Sequence, residues 1–286
     1  MNSFKTVAIT GSTGMIGLAL TNYLISNGIT VIMFIREESK KTNLIPNSPL
    51  IKVVKCNLEN LKTFQLNLQC DCFFHLGWEQ TIGKGRMDTD IQLKNISYTL
   101  DAVRLAKKMG AKKFVGVGSQ AEYGIHSNKL SIDSHCNPIS AYGIAKYSAG
   151  KLSKILSDQL GLEFNWIRVL SVYGENDNPN TLISYLKNCL KSNISPNLTK
   201  CEQVWDYIND IDAAKIIYII AKNGLNGITY PLGSGIGRPL KFYVEQIKND
   251  LNPSIKINYG AIEYSKDQIM YLVADMSYLE ELTKDE

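Results

Sequence analysis

The chain has 286 residues and a mass of 32.0 kDa; 44% of the residues are hydrophobic and 20% are charged. This composition is typical of a globular protein and excludes a disordered, collagen-like or low-complexity chain. The 31 basic and 27 acidic residues give a net charge of only +4, too weak to indicate a nucleic-acid-binding protein.

The cysteines and the N-terminal segment indicate the compartment. The six cysteines include no Cys-x-x-Cys pair and no metal-binding spacing, so we expect reduced thiols and no metal site. A strand is predicted almost at the first residue, which leaves no room for a signal peptide. Because no apolar run approaches the ~20 residues that span a bilayer, we predict a cytoplasmic protein without membrane interactions.

Short apolar runs alternate with helical periodicities along the first two thirds of the chain. Such alternation is typical of an α/β fold with a parallel sheet and helices on both faces. The predicted strands are residues 5–10, 30–35, 51–56, 72–76, 113–117 and 164–169, and the predicted long helices are residues 15–27, 90–109 and 141–160.

From about Tyr173 the alternation becomes less regular, with loop-rich stretches at 176–179 and 191–196. A compact strand and helix recur at residues 204–221, and the chain is mixed from Pro231 onward. We therefore predict a first domain of residues 1–172, to which residues 204–230 return. Residues 173–203 and 231–286 are predicted to form a smaller, substrate-binding lobe.

A glycine-rich turn, Gly-x-x-Gly-x-x-Gly, connects the first predicted strand to the first predicted helix. Glycines at this position let the chain turn tightly and let backbone N–H groups approach a pyrophosphate. The positive end of the helix dipole favours the same anion. The turn predicts a dinucleotide site lined by Gly11, Thr13, Gly14, Met15, Ile16 and Gly17.

The end of the second predicted strand indicates which dinucleotide binds. NAD-binding proteins place an acidic residue there to bind the ribose hydroxyls, whereas this chain has Ile35 followed by Arg36. A guanidinium can pair with a 2′-phosphate, so we predict NADP(H); the alternative is that Arg36 stacks on an adenine. Asn57 and Leu58, after the third strand, are predicted to meet the adenine.

Three Tyr-x-x-x-Lys pairs occur, and their context separates them. They are Tyr142/Lys146, Tyr147/Lys151 and Tyr218/Lys222. Only the first pair opens a long helix soon after a predicted strand end, the segment 117–124 that contains Ser119. Side chains four residues apart share a helix face, from which the second pair is rotated away. The third pair lies in a late apolar helix and is interpreted as core and surface.

Taken together, these motifs resemble the extended short-chain dehydrogenases/reductases over essentially the whole chain. The resemblance rests on the glycine turn, His-Leu-Gly at 75–77, GSQAEYG at 118–124 and YGIAK at 142–146. RVLSVYG at 168–174, WDYINDIDAA at 205–214 and YPLGSG at 230–235 resemble the branch of nucleotide-sugar epimerases, dehydratases and reductases. GAIEYSKDQIM at 260–270 resembles reductases of nucleotide-linked 4-keto-6-deoxyhexoses. The resemblance implies a Rossmann fold, a doubly wound parallel sheet.

The resemblance also implies roles for individual residues. Tyr142 would be the general acid, Lys146 would lower its pKa and bind the nicotinamide ribose, and Ser119 would bind the reacting carbonyl oxygen. Leu76 and Gly77 would contribute further cofactor contacts. No residue is expected to bind a metal.

Departures from the family pattern concern the substrate. Gln120 and Ala121 stand where dehydratases carry an acidic pair, so dehydration is not expected. Ser171 replaces a common Asn, and Trp205 replaces a common Arg near the substrate phosphates. Trp78 and Trp205 could line the sugar pocket or pack against the core. The predicted substrate contacts are Trp78, Ser119, Gln120, Ser171 and Trp205.

The sequence thus predicts an NADPH-dependent reductase of a CDP- or dTDP-linked 4-keto-6-deoxyhexose. The alternatives are an NAD-dependent nucleotide-sugar 4-epimerase and a protein that binds NADP(H) without catalysis. The helices at 90–109 and 141–160 carry apolar faces, and relatives often dimerise through them, so we expect a homodimer.

Overall fold

The computed structural model describes residues 4–65 and 67–284, and a parallel sheet organises most of them. The sheet contains seven strands in the order β10-β6-β5-β4-β1-β2-β3, and all its neighbouring strands are parallel. Its strands are β1 (Thr6–Thr10), β2 (Thr30–Ile35), β3 (Ile51–Lys55), β4 (Cys72–His75), β5 (Lys113–Ser119), β6 (Glu163–Val169) and β10 (Thr229–Leu232). The order changes direction beside β1, so the carboxyl ends of β1 and β4 flank the crevice where such sheets bind ligands.

Helices cover both faces of this sheet, as the predicted Rossmann fold requires. The long helices are α1 (Met15–Ser26), α2 (Thr89–Lys108), α3 (Ala141–Leu160) and α5 (Asp210–Asn223). Helices α1 and α5 pack on one face and α2 and α3 on the other. Alternate residues of β1 belong to different cores, since Val7 and Ile9 face α1 while Ala8 faces α2 and α3. The prediction of a doubly wound α/β fold is confirmed.

The α2/α3 face has an aromatic core. Phe73, Phe114 and Phe164, on three adjacent strands, stack with ring centroids 6.0 and 6.3 Å apart, and Trp166 continues the row at 6.3 Å from Phe164. These rings are fully buried, and aromatic side chains remove 150–250 Å² each from water, so the row is a large part of the apolar burial that fixes α3 on the sheet.

A second, smaller core lies in the C-terminal third. Helices α4 (Leu182–Lys191) and α6 (Leu240–Leu251) pack together, and their buried leucines form the centre of this core. Short strands surround it: β7 (Ser171–Tyr173), β8 (Val204–Trp205), β9 (Tyr207–Asn209), β11 (Arg238–Pro239) and β12 (Tyr271–Leu272). Strand β7 pairs with β9, and β8 lies between β11 and β12.

The residues that we assigned to the lobe divide between the two cores. Strand β10 ends at Leu232 in the parallel sheet, and helix α7 (Tyr278–Leu282) packs on α5. The hydroxyl of Tyr278 donates to the carbonyl of Pro231 at 2.6 Å, which joins the last helix to β10. Within the described residues, no helix is long and apolar enough to cross a membrane.

Candidate active site

The glycine turn after β1 lies against the end of β4. Gly11 has a φ of +68°, and a Cβ on it would come within 2.7 Å of the backbone of Leu76 and Gly77. Any side chain would therefore separate the two strand ends. The turn is also tied to β2, because Ser12 Oγ donates to the carbonyl of Phe34 at 2.9 Å. Ser12 was not among the predicted site residues.

Helix α1 begins at this turn and presents its N-terminus to the crevice. Gly14 is its N-cap residue and has no side chain that could cap the helix. The first backbone N–H groups of a helix lack intrahelical partners, so those around Thr13, Met15 and Ile16 suit an anion. A Cβ on Gly17 would come within 2.3 Å of the Gly11 carbonyl, so the turn and helix approach as closely as a dinucleotide loop requires. The residues present therefore fit a dinucleotide.

The other predicted cofactor residues surround the same edge. Arg36 follows β2 and is exposed, and the backbone N–H of Glu37 donates to Asn57 Oδ1 at 3.1 Å. Leu58 lies beside Gly77, where a Cβ would come within 2.8 Å of Leu58 Cδ2. Asn57 therefore fixes the turn that carries Arg36, and its assignment to the adenine stays a prediction.

Ser119 and Tyr142 meet where β5 ends and α3 begins. Ser119 is the last residue of β5, and its Oγ accepts from the backbone N–H of Ala121 at 3.2 Å. Tyr142, in the first turn of α3, is 7% exposed. Burial raises the pKa of Tyr142 above its usual value, while a hydrogen bond with Ser119 and the positive charge of Arg86 oppose that rise. The structure thus brings these two predicted residues into contact.

Lys146 lies one helical turn further along and is 4% exposed. Its Nζ donates to the carbonyl of Val117 at 2.7 Å and lies 3.8 Å from the centre of the Trp78 ring. Burial lowers the pKa of Lys146 to about 7, and the negative charge of Glu122 limits the drop. All three predicted catalytic residues therefore belong to one buried cluster at the carboxyl end of β5.

The acidic residue nearest to this cluster is turned into the protein. Glu122 is fully buried; its carboxylate accepts from the N–H of Ser119 at 2.8 Å and pairs with Arg168 Nε at 2.8 Å. Trp166 Nε1 donates to the same carboxylate at 3.0 Å. Glu122 thus positions Ser119, and its carboxylate has no free oxygen directed at a substrate. The two positions after Ser119 hold Gln120 and Ala121, and the expectation that the protein does not dehydrate its substrate stays a prediction.

Gln120, the first residue after Ser119, is partly buried. Its side-chain oxygen is buried and has no hydrogen-bond partner among the described residues. An unpaired buried carbonyl is costly, so a donor from a bound molecule would be stabilising at this point. The prediction that Gln120 contacts substrate remains open and is consistent with this geometry.

A segment between β4 and α2, residues 78–87, covers Tyr142 and Lys146, and we call it the covering segment. Trp78 belongs to it, with its ring edge-on to Tyr142 at 6.1 Å between centroids. Gln92 of α2, 1% exposed, fixes the segment. Its Oε1 accepts from Trp78 Nε1 at 2.9 Å, and its Nε2 donates to the carbonyls of Gln80 and Gly85 at 3.1 and 2.9 Å.

Asn95, one turn after Gln92, binds the segment a second time. Its side chain accepts from the N–H of Glu79 at 2.9 Å and donates to the carbonyl of the same residue at 3.0 Å. Sequence reasoning missed Gln92, Asn95 and Arg86. Two amides three residues apart on the buried side of a predicted helix were the signal for the first two, since buried amides need partners.

Ser171 and Trp205, both predicted to meet substrate, contact each other. Trp205 Nε1 donates to Ser171 Oγ at 2.7 Å, and the Trp205 ring packs against the core between α4 and α6 and against a cluster that contains Tyr123 and Leu170. Next to it, the fully buried Asp206 accepts backbone N–H groups of Gly235 and Ala274 at 3.0 and 3.1 Å. Trp205 is partly buried and packs against the core, and its predicted contact with substrate stays a prediction.

A cavity of about 450 Å³ opens between α4 and α6. Three aromatic rings line it, those of Tyr173, Tyr207 and Tyr243, together with Lys187 of α4. The size is sufficient for part of a nucleotide sugar. Within the described residues, no cluster of three or more His, Cys, Asp or Glu side chains is arranged to bind a metal ion.

Comparison with known proteins agrees with this geometry. The family model described as the NAD dependent epimerase/dehydratase family matches residues 7–233. The chain belongs to this family. The match extends from β1 through the last strand of the parallel sheet and includes Ser119, Tyr142 and Lys146. The family is one of enzymes of the short-chain dehydrogenase/reductase type.

Individual relatives match over nearly their whole length. CDP-abequose synthase of Salmonella muenchen is 27% identical, with 97% of this chain and 92% of that protein covered. The dTDP-6-deoxy-L-talose 4-dehydrogenase (NAD(+)) of Aggregatibacter actinomycetemcomitans is 24% identical, with 89% and 93% covered. Among solved structures, UDP-N-acetylglucosamine 4-epimerase from Methanobrevibacter ruminantium M1 superposes with a TM-score of 0.86 at 23% identity, covering 99% and 93%.

Proposed function

We propose that this protein reduces the 4-keto group of a CDP- or dTDP-linked 4-keto-6-deoxyhexose with NADPH. The observation that carries the proposal is the buried cluster of Ser119, Tyr142 and Lys146, with Gln120 and Ala121 in place of an acidic pair. Such a cluster can deliver a proton to a carbonyl oxygen, and it contains no second acid or base for removing water. The relatives whose names refer to CDP- and dTDP-linked sugars support the substrate class.

The roles of the side chains follow from their contacts. The cofactor supplies a hydride to the carbonyl carbon of the sugar. Tyr142 donates its phenol proton to the carbonyl oxygen, which becomes the new hydroxyl, while Ser119 donates a hydrogen bond to that oxygen and orients it. Lys146, next to Tyr142 on α3, binds the nicotinamide ribose. When it is protonated, its charge stabilises the phenolate that the transfer leaves behind.

Arg36 supports NADPH over NADH. It is exposed at the end of β2, where an acidic residue would repel a 2′-phosphate, and its guanidinium can form two hydrogen bonds with such a group. Glu37 is also exposed, and its backbone is fixed by Asn57. Replacing Arg36 with Ser should weaken NADPH binding by about tenfold or more and leave NADH binding nearly unchanged.

The second candidate function is that of a nucleotide-sugar 4-epimerase with bound NAD. The chain superposes on a solved 4-epimerase, which is consistent with this candidate. An epimerase would be purified with its nicotinamide and would need no added reductant. A protein that only binds NADP(H) would leave NADPH unoxidised with either keto sugar. Cofactor retention and net NADPH oxidation therefore separate the three functions.

The deciding experiment is incubation of the purified protein with NADPH and, separately, with CDP- and dTDP-linked 4-keto-6-deoxyglucose. Loss of the reduced-nicotinamide absorbance with one sugar and not the other would support the reductase and identify the nucleotide. Binding of NADPH without oxidation by either sugar would contradict the substrate assignment. Tyr142→Phe, with cofactor binding measured in parallel, is the matched control.

We also propose that the enzyme works as a homodimer in the synthesis of a surface polysaccharide. Helices α2 and α3 pack together and expose Leu93, Ile144, Leu152 and Ile155. Four large apolar side chains on one helix pair are a suitable surface for a second copy related by two-fold symmetry. Sedimentation of the wild type and of Ile155→Lys should give a dimer and a monomer, respectively.

A further inference from the structure

The covering segment places a second cation, Arg86, against the ring of Tyr142. In the sequence Arg86 precedes Tyr142, whereas Lys146 follows it. The guanidinium carbon of Arg86 lies 4.3 Å from the centre of the Tyr142 ring, and Arg86 Nη1 donates to the carbonyl of Thr81 at 3.3 Å. A guanidinium on the face of a ring at this distance is attracted by its negative π surface. Once the phenol loses its proton, a full charge adds to that attraction.

The position of Arg86 is determined by buried contacts. Gln92 uses both ends of its side chain on the covering segment, at Trp78 on one side of the loop and at Gly85 on the other. Gly85 immediately precedes Arg86 in the sequence, and Gln92 is buried in α2. The segment is thus fastened to the same helix layer that carries Tyr142, which keeps the guanidinium and the phenol together.

The charge of Arg86 differs in kind from that of Lys146. An arginine remains protonated at every pH at which proteins are folded, because its ordinary pKa exceeds 12. Burial under Trp78 lowers the pKa of Lys146 to about 7, so near neutral pH part of the Lys146 population is uncharged before cofactor binds. Arg86 is then the permanent positive charge in contact with Tyr142.

We propose that Arg86 is a positioning residue for the acid–base step, in which its guanidinium stabilises the ionised form of Tyr142. This inference rests on the proposed function, in which Tyr142 gives its proton to the sugar oxygen. The charge and the ring contact would lower the cost of leaving a negative phenolate in a buried site. The cation would act at the start of the reaction, independently of the protonation of Lys146.

Other groups around Tyr142 also affect its pKa. The negative charge of Glu122 raises its pKa, Ser119 lowers it through a hydrogen bond, and Lys146 lies 6.0 Å from the ring centre. Burial lowers the pKa of His75 to about 3, and the positive charge of Lys146 adds to the drop, so His75 stays neutral throughout. The groups around Tyr142 come from three parts of the chain. Ser119 ends β5 and Glu122 follows it, Lys146 lies on α3, and Trp78 and Arg86 belong to the covering segment.

The direct test is the ionisation of Tyr142, followed by NMR of tyrosine Cζ in the whole isotope-labelled protein. The resonance is assigned by its loss in Tyr142→Phe. In Arg86→Met, which keeps an apolar stem but removes the charge, the titration should move to higher pH, and in Arg86→Lys it should return toward the wild type. Lys84→Met, which removes an exposed cation from the same segment, is the matched control and should leave the titration unchanged.

A titration that is the same in Arg86→Met and wild type would overturn the inference. A wild-type Tyr142 that does not ionise before the protein unfolds, with folding monitored by circular dichroism in the same samples, would overturn it too. If Arg86→Met misfolds, Arg86→Lys is compared with Arg86→Gln instead, because both side chains are flexible and polar and only Lys carries a charge.

Turnover gives the second readout. With NADPH and the active keto sugar, Arg86→Met should lower kcat by about tenfold and move the alkaline limb of the kcat profile to higher pH, because a weaker acid stays protonated longer. Simple structural damage would lower kcat equally at all pH values. If the titration moves but the wild type oxidises no NADPH with either sugar, the reductase assignment fails and the effect of Arg86 on Tyr142 stands.

Discussion

The two faces of α3 carry the same Tyr-x-x-x-Lys pattern in very different surroundings. Tyr142 and Lys146 are 7% and 4% exposed and contact the covering segment and the end of β5. Tyr147 is only partly buried and Lys151 is exposed, with its Nζ 5.5 Å from the Tyr147 ring centre. Burial at a strand end, and not the pattern, therefore distinguishes Tyr142 and Lys146 as the candidate site.

The largest expected difference between the two faces is in turnover. Tyr142→Phe removes the proposed proton donor and should lower kcat for NADPH-dependent keto-sugar reduction by at least about 100-fold, with cofactor binding retained. Tyr147→Phe should leave kcat unchanged. Equal losses in the two variants would mean that the Tyr147/Lys151 pair is also needed for the reaction, and the distinction would then be wrong.

The second expected difference is in the free energy of unfolding, between a buried and an exposed ion pair. Glu122 and Arg168 form an ion pair with side chains 1% and 6% exposed, so Glu122→Gln leaves an uncompensated buried guanidinium. We expect the free energy of unfolding to fall by about 3–5 kcal/mol in urea titrations. The matched control is Asp158→Asn, which breaks the exposed ion pair with Lys154 on the outer side of α3 and should cost about 0.5 kcal/mol.

A third difference is a slope of stability with pH. In the cofactor-free protein the pKa of Lys146 falls from 10.5 to about 7, so between these values the unfolded chain binds a proton that the folded one lacks. Through Lys146, stability should therefore rise with pH above about 7, and the destabilisation from the buried ammonium is fully present below it. The contribution is at most about 1.4 kcal/mol per pH unit.

Urea unfolding at several pH values between 7 and 9.5 checks this slope. Lys146→Met should lose this rise, because the titrating ammonium is gone; the buried cysteines, whose pKa values burial raises, give an opposite slope near their ordinary pKa that remains in both proteins. Lys151→Met removes an exposed ammonium from the other face of α3 and should keep the wild-type slope. A slope that is the same in Lys146→Met and in the wild type would assign the titration to another group.

Much of the parallel sheet could be predicted because its signals are local. Apolar runs and helical periodicity placed the first six strands and the three long helices, and α3 has the predicted bounds, residues 141–160. β5 runs two residues further than predicted, to Ser119, since the glycines at 116 and 118 weaken the apolar pattern. A Cβ on Gly118 would come within 2.2 Å of Trp166 Nε1, a packing constraint that a linear pattern does not contain.

The C-terminal third was harder to predict because its elements are short and stabilise one another. Helices α4 and α6 were not predicted, and they exist in a core formed by residues far apart in the chain, such as Leu186 and Val244. Short helices are marginal alone, so their stability comes from tertiary packing. The same holds for Tyr278, whose burial against β10 follows from a contact across 47 residues.

By itself, the sequence determined the family, the Rossmann architecture and the three residues of the proposed acid–base cluster, because glycine turns, helix faces and strand ends have local signatures. Tertiary structure alone decided that Arg86 lies on the Tyr142 ring and that Glu122 points into the sheet. It also decided that Gln92 and Asn95 fasten the covering segment. These arrangements depend on which buried polar groups satisfy one another across the fold, and hydrogen-bond partners distant in sequence leave no periodic signal.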